Sequence, residues 1–112
     1  FTGDTLFSLG CGRIFEGTYE QMFSSLQLIK SFPKNTKIYC GHEYTLKNSD
    51  FCIKYDKNNS ALRNKIKSIK NKLNRGIPSI PSTIEEELNC NIFLKSKDIE
   101  TFSKLRDLKD NF

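Results

Sequence analysis

The sequence predicts an α/β unit followed by an all-helical one, and three observations carry that reading. Two strings, Phe1-Thr2-Gly3-Asp4-Thr5-Leu6-Phe7 and Ile38-Tyr39-Cys40-Gly41-His42-Glu43-Tyr44, each set a glycine and a metal-competent side chain beside a hydrophobic run, as strand ends do. Between them lies one segment with helical spacing. Beyond Glu43 the pattern changes to helices, with apolar residues recurring every three or four positions.

The elements follow in order. Phe1 falls inside what reads as a strand, so the chain is expected to be the C-terminal piece of a longer protein. Ser8 to Gly17 reads as a loop punctuated by Gly10, Gly12 and Gly17. Thr18 and Gln21 form a capping box, and Met22, Phe23, Leu26, Ile29 and Phe32 mark a helix face that runs to Pro33. Lys37 to Cys40 is a short strand that delivers Gly41 and His42, which completes one α/β crossover. The domain boundary is placed just after His42, giving residues 1–42 and 43–112.

The second part reads as helices. One is expected from about Thr45 to Tyr55. Another starts at a Ser60 cap with Leu62, Ile66, Ile69 and Leu73 on one stripe, its other faces carry Lys65, Lys67, Lys70 and Lys72, and Gly76 stops it. Gly76 to Pro81 is extended, because proline disfavours helix in the residue before it. Ser82 and Glu85 make a further capping box, and a last helix over Asp98 to Lys109 is expected to bury Ile99, Phe102, Leu105 and Leu108.

Composition narrows the function classes. The net charge of +5 comes with many lysines and asparagines, no valine and a single alanine, Ala61, which is what A/T-rich coding produces without selection for a nucleic-acid partner. The basic residues are interspersed with acidic ones, so solvated helix faces explain them. No apolar stretch approaches the roughly 20 residues of a membrane span. Cys11, Cys40, Cys52 and Cys90 are too far apart for a CxxC metal grip, and reduced thiols in a soluble, cytoplasmic protein are the simplest account, with an organellar leader before Phe1 left open.

Two residues stand out as metal ligands. Asp4 sits in a Thr-Gly-Asp-Thr turn, and its two oxygens suit it to bridge cations. His42 is the only histidine in the chain. Alone, each is as readily a turn aspartate or a packed imidazole; both at strand ends beside glycines, they point to half of a metal site. Arg106 and Lys109 are one helical turn apart and can converge on one anion, although Asp107 and Asp110 also allow an ordinary salt-laced face. Cys11 with His42 as a nucleophile and base is the weaker alternative, since a Gly-Cys-Gly turn is explained by its backbone.

Thr2-Gly3-Asp4-Thr5-Leu6-Phe7, Gly10-Cys11-Gly12-Arg13, Phe15-Glu16-Gly17-Thr18, Tyr39-Cys40-Gly41-His42-Glu43-Tyr44, Pro78-Ser79-Ile80-Pro81-Ser82-Thr83 and Arg106 to Phe112 follow one another along nearly the whole chain. Together, in this order, they resemble glyoxalase II. Glyoxalase II is the hydroxyacylglutathione hydrolase family of the metallo-β-lactamase superfamily. The resemblance implies the closing part of a metallo-β-lactamase αββα domain in residues 1–42 and a small helical glutathione-binding domain in residues 43–112. It implies hydrolysis of S-(2-hydroxyacyl)glutathione thioesters such as S-D-lactoylglutathione, with two divalent metal ions, zinc foremost and iron or manganese admitted by the same donors.

Residue by residue, the resemblance makes Asp4 the carboxylate that bridges the metals and His42 the last histidine ligand of one of them. The family's remaining metal ligands lie upstream, so this chain alone is expected to be inactive. Arg13 falls where the family has a lysine, Phe15 where it has a tyrosine, and Tyr44, Arg106 and Lys109 match its substrate-binding positions. The expected partner is a glutathione thioester, with neither nucleic acid nor membrane, and a monomeric enzyme. The alternatives are a persulfide dioxygenase of the same superfamily, which uses one iron, and a basic helical binding module.

Overall fold

The computed structural model describes residues 1–12 and 18–112. It begins with a tight hairpin: β1 (Leu6–Phe7) and β2 (Gly10–Cys11) pair antiparallel, Leu6 opposite Cys11 and Phe7 opposite Gly10. The two-residue turn between them places Leu9 at φ 61°, a left-handed conformation that a leucine adopts only when its surroundings impose it.

Helix α1 (Tyr19–Lys30) opens on the predicted capping box, in which Thr18 accepts from the Gln21 N–H and the Gln21 side chain accepts from the Thr18 N–H. Met22, Phe23 and Ile29 pack against the core around buried Leu26. Phe32, expected on the same stripe, is exposed. The helix stops at Lys30, with Ser31 as C-cap and Pro33 two residues on, so Phe32 leaves the helical register.

Strand β3 (Lys37–Ile38) then follows, and the chain continues through helices α2 (Thr45–Tyr55) and α3 (Ser60–Asn74), strand β4 (Ser82–Thr83), and helices α4 (Ile84–Cys90) and α5 (Ile99–Asp110). β3 pairs antiparallel with β4, Lys37 opposite Thr83 and Ile38 opposite Ser82. Further along, Gly3 and Cys40 form a parallel bridge, with Gly41 N–H donating to Gly3 O at 2.8 Å and Thr2 N–H to Tyr39 O at 2.9 Å. The crossover through α1 therefore returns the chain beside its own first residues.

Several caps sit one position from where the sequence suggests. Asn59, not Ser60, caps α3 by accepting from Leu62 N–H; it also donates to Asn89 O and Asp56, which a serine is too short to do. Thr83, not Ser82, caps α4 by accepting from Glu86 N–H, because the Ser82 hydroxyl is already engaged with Glu87 and Lys65. Lys65, expected on a solvated face, reaches inward to Glu86 at 2.6 Å and Glu87 at 3.4 Å. On α5, Phe102 is fully buried and Ile99 and Leu105 pack on the core, but Leu108 faces out and Arg106 is buried in its stead.

The larger core cluster joins Leu6, Cys11, Leu26 and Ile38 to Phe51, Ile84, Phe93, Leu94 and Phe102. Phe51 stacks on Phe93 at 5.6 Å between ring centroids, and Phe93 meets Phe102 edge-on at 6.2 Å. Truncating any of these three fully buried rings is expected to cost about 3–5 kcal/mol. The same core carries the hairpin on one side and α5 on the other, which fixes the two walls of the cleft described next.

Candidate active-site cleft

The Gly3–Cys40 bridge sets the two strand ends side by side and so brings Asp4 and His42 together. Asp4 Oδ1 lies 3.3 Å from His42 Nε2. Glycine is required here for close approach: a Cβ on Gly41 would stand 3.0 Å from Asp4 Oδ1, and one on Gly12 only 1.9 Å from the Asp4 carbonyl oxygen. Both side chains are open to solvent, His42 half exposed and Asp4 more so. They are available to a third component.

An aromatic group holds the imidazole plane. The His42 ring stacks on Tyr44 with centroids 4.9 Å apart and planes within 8°, and Phe7 meets the Tyr44 ring edge-on at 5.1 Å. Tyr44 occupies the N-cap position of α2 without a side-chain capping bond. Its phenol is therefore presented to the cleft by the helix start.

Glu43, between them, faces the other way. Its carboxylate accepts from the Ser79 N–H at 2.8 Å, from the Ser79 hydroxyl and from the Thr45 hydroxyl at 3.2 Å, while the Thr45 and Ser79 hydroxyls lie 2.9 Å apart. Thr45 and Ser79 are buried. This small network ties the main chain next to His42 to the segment that follows α3, in which Gly76 turns the chain at φ 72°. Both strings are visible in the sequence, yet nothing in their spacing shows that they touch.

The cleft has a volume of about 480 Å³ and gathers Asp4, His42 and Tyr44 with Phe7, Cys11, Gly12, Lys47, Asn48, Arg106 and Lys109. Arg106 is buried, and its guanidinium is engaged: Nη1 donates to Cys11 O at 2.7 Å and Gly12 O at 3.3 Å, and Nε and Nη2 donate to Asp110 at 3.0 and 2.8 Å. It lies over the Phe93 ring at 5.2 Å. The ammonium of Lys109 sits about 6 Å from the Phe51 and Phe112 ring centroids. The two basic residues thus share the cleft wall while Arg106 also fastens α5 to β2. Lys47 and Asn48 are wall residues that the sequence reading missed; the available signal was their position one turn after Tyr44. Arg13 and Phe15 lie outside the described residues.

Burial pushes the Cys11 thiol up to about 11, although the nearby Arg106 charge opposes the shift. A thiol so held is protonated near neutral pH and is a poor nucleophile. The burial of Cys11, whose sulfur faces the Arg106 guanidinium at 3.6 Å, thus disfavours the Cys11–His42 alternative.

Asp4 and His42 fit one edge of a metal's coordination shell. Two ligands each about 2.0–2.1 Å from a tetrahedral zinc stand about 3.3 Å apart, the separation seen between their donor atoms. No cluster of three or more metal-ligating side chains occurs among the described residues. The chain offers a pair of donors, short of a full set.

The family model for the C-terminus of hydroxyacylglutathione hydrolase matches residues 43–112, from Glu43 through α5. The chain belongs to the hydroxyacylglutathione hydrolase family. Hydroxyacylglutathione hydrolase of Pelagibacter ubique (strain HTCC1062) is 68% identical over 112 residues, which is 100% of this chain and 47% of that protein. Hydroxyacylglutathione hydrolase of Prochlorococcus marinus (strain MIT 9301) is 50% identical over 98% of the chain and 45% of its own length, and that of Nostoc sp. (strain PCC 7120) is 43% identical over 100% and 48%. The chain spans about half the length of the curated relatives it matches. Hydroxyacylglutathione hydrolase membership agrees with the order of motifs from Thr2 to Phe112.

Proposed function

We propose that the protein containing this chain hydrolyses S-(2-hydroxyacyl)glutathione thioesters, S-D-lactoylglutathione foremost, to the hydroxy acid and glutathione. The observation that carries this reading is one cleft holding two metal-competent donors 3.3 Å apart and, on the same lining, Tyr44, Arg106 and Lys109. Relatives named hydroxyacylglutathione hydrolase support it.

Asp4 and His42 are the residues of this chain that would hold divalent cations, zinc foremost with iron or manganese alternatives. When bound, such cations lower the pKa of a water and polarise a carbonyl oxygen. The remaining steps belong to the chain. Gly12 and Gly41 let the Asp4 and His42 backbones approach, and the Tyr44 ring fixes the imidazole plane. Phe7 and Tyr44 give the thioester an apolar wall, and Lys109, with the buried charge of Arg106 behind it, attracts the carboxylates of the tripeptide. Arg13 and Phe15 join the substrate side in this reading. Holding the glutathione end away from the reacting carbon converts binding into orientation of the thioester.

The proposed enzyme is monomeric and cytoplasmic and has neither nucleic acid nor membrane as partner; no helix among the described residues is long and apolar enough to cross a membrane. In the metal-loaded full-length protein, S-D-lactoylglutathione is expected to be hydrolysed, with loss on chelation. Absence of turnover beside oxygen-dependent consumption of glutathione persulfide would overturn the reading.

A further inference from the structure

Lys47 lines the same cleft as Asp4, His42, Tyr44, Arg106 and Lys109, on the first turn of α2. It lies outside the residues that the family resemblance assigns to the substrate. Resting on the proposed function, we propose that Lys47 is a specificity-determining residue that pairs with a carboxylate of the glutathione moiety.

Three observations lead there. Arg106, the buried cation of the same lining, directs its guanidinium at Asp110 and two carbonyl oxygens, so little of its hydrogen-bonding capacity is left for a ligand. Lys47 makes no hydrogen bond or ion pair with any described residue, although its side chain borders the cleft. Its place is also not explained by helix stability: the first turn of α2 carries no acidic residue, and a cation there opposes the helix dipole. A lysine at the rim of an aromatic-floored cleft, against the dipole and without an ion-pair partner among the described residues, is placed to meet an anion that arrives with the ligand.

Lys47 follows the N-cap Tyr44 by three positions and so lies on the same side of the helix start, about 4.5 Å further along the axis. Tyr44 stacks on His42, so the lysine stands one step removed from the metal-competent pair. A group there meets the body of the tripeptide and leaves the scissile carbonyl to Asp4 and His42. Lys47 should therefore govern capture, with little effect on the chemical step.

The test compares full-length wild type, Lys47→Gln, Lys47→Arg and Lys67→Gln. Lys67 is exposed on α3 and controls for the loss of one charge. Calorimetric Kd is measured for S-methylglutathione and for its diethyl ester, with steady-state hydrolysis of S-D-lactoylglutathione alongside. Lys47→Gln is expected to raise Kd and KM about tenfold with kcat within about twofold, Lys47→Arg to stay within about threefold, and Lys67→Gln to be unchanged. On the diester, wild type and Lys47→Gln should agree within about twofold. Equal losses on acid and diester, or no difference between Lys47→Gln and Lys67→Gln in an active enzyme, would overturn this inference alone. Wild type that neither binds S-methylglutathione nor hydrolyses the thioester would overturn the function it rests on, and the inference with it.

Discussion

Glu87 Oε1 accepts a hydrogen bond from the main-chain N–H of Leu9 at 2.8 Å, across 78 positions of sequence. The acceptor is fully buried, and Leu9 is the residue held at positive φ. Around the same turn, Asn91 donates to Phe7 O and Gly10 O, Asn48 to Ser8 O, and the Cys52 thiol to Leu9 O. Helices α2 and α4 therefore grip the tip of the hairpin whose two ends carry Asp4 and the Cys11-Gly12 wall. The helical part of the chain shapes the cleft from behind.

Removing that grip should unfold the protein before it alters chemistry. Glu87 also accepts from Ser82 and Asn91 and lies beside the ammonium of Lys65, so Glu87→Ala leaves several buried donors without a partner. We expect a loss of about 3 kcal/mol in urea unfolding, with Glu87→Gln less affected because it keeps an acceptor oxygen. A loss below about 1 kcal/mol for Glu87→Ala would show that the turn holds its conformation unaided.

Stability should fall in alkali. Burial raises the Cys11 thiol to about 11 and the Cys52 thiol to about 12. Both are protonated when folded, but the unfolded chain ionises them from about pH 8.5, so their contribution is complete below that pH and declines above it. Each should remove about 1.4 kcal/mol per pH unit between about 8.5 and its folded pKa. Lys65 adds a later loss: burial lowers its pKa, the Glu87 and Glu86 carboxylates more than reverse this, and the net raised value makes its contribution disappear above about pH 10.4. A flat unfolding free energy from pH 8 to 10 would contradict the burial of these thiols.

Gly12→Ala should disable the cleft out of proportion to its size. The added Cβ would meet the Asp4 carbonyl at 1.9 Å, a main-chain atom that cannot swing aside, so the Asp4 turn must move. Thioester hydrolysis by the full-length variant is expected to fall at least about 100-fold, since a displacement near 1 Å at a reacting centre costs about that much. Near-normal kcat would mean that the turn relaxes without moving the carboxylate.

Arg106 and Lys109 should separate although they share a wall. Arg106→Ala is expected to lower both stability, by about 3 kcal/mol, and substrate capture, because its guanidinium fastens Cys11, Gly12 and Asp110. Lysine cannot reproduce that fork, so Arg106→Lys should rescue little. Lys109→Ala should act on KM with a smaller change in unfolding free energy. Thermal melts beside saturation kinetics decide it, and an Arg106→Ala protein with unchanged melting would return the residue to a pure binding role.

Much of this arrangement is legible in the sequence, for physical reasons. Helix starts are local: the Thr18–Gln21 box lies where the sequence suggests, and the Asn59 and Thr83 caps miss by one residue because cross-chain contacts choose between adjacent polar side chains. The Asp4 and His42 strings are legible as strand ends because each sets a glycine and a polar side chain beside a hydrophobic run, and the Gly3–Cys40 bridge is what brings the two together. The burial of Arg106 and Lys65 is hidden, since the Arg106 carbonyl partners lie 94 and 95 positions away and the Lys65 carboxylates 21 and 22, and helical spacing alone gives Leu108 an equal claim to the core. The β3–β4 pairing and the Glu43–Ser79 contact are non-local in the same way.

We propose that Asp4 and His42 form the metal-facing edge of a thioester hydrolase. The most direct measurement is hydrolysis of S-D-lactoylglutathione by full-length Asp4→Ala beside wild type, with bound metal determined on the same samples. A drop in kcat/KM of about a thousandfold or more is expected together with reduced metal occupancy, and a comparable loss for His42→Ala. Asp4→Ala protein with wild-type turnover and a full metal complement would contradict it.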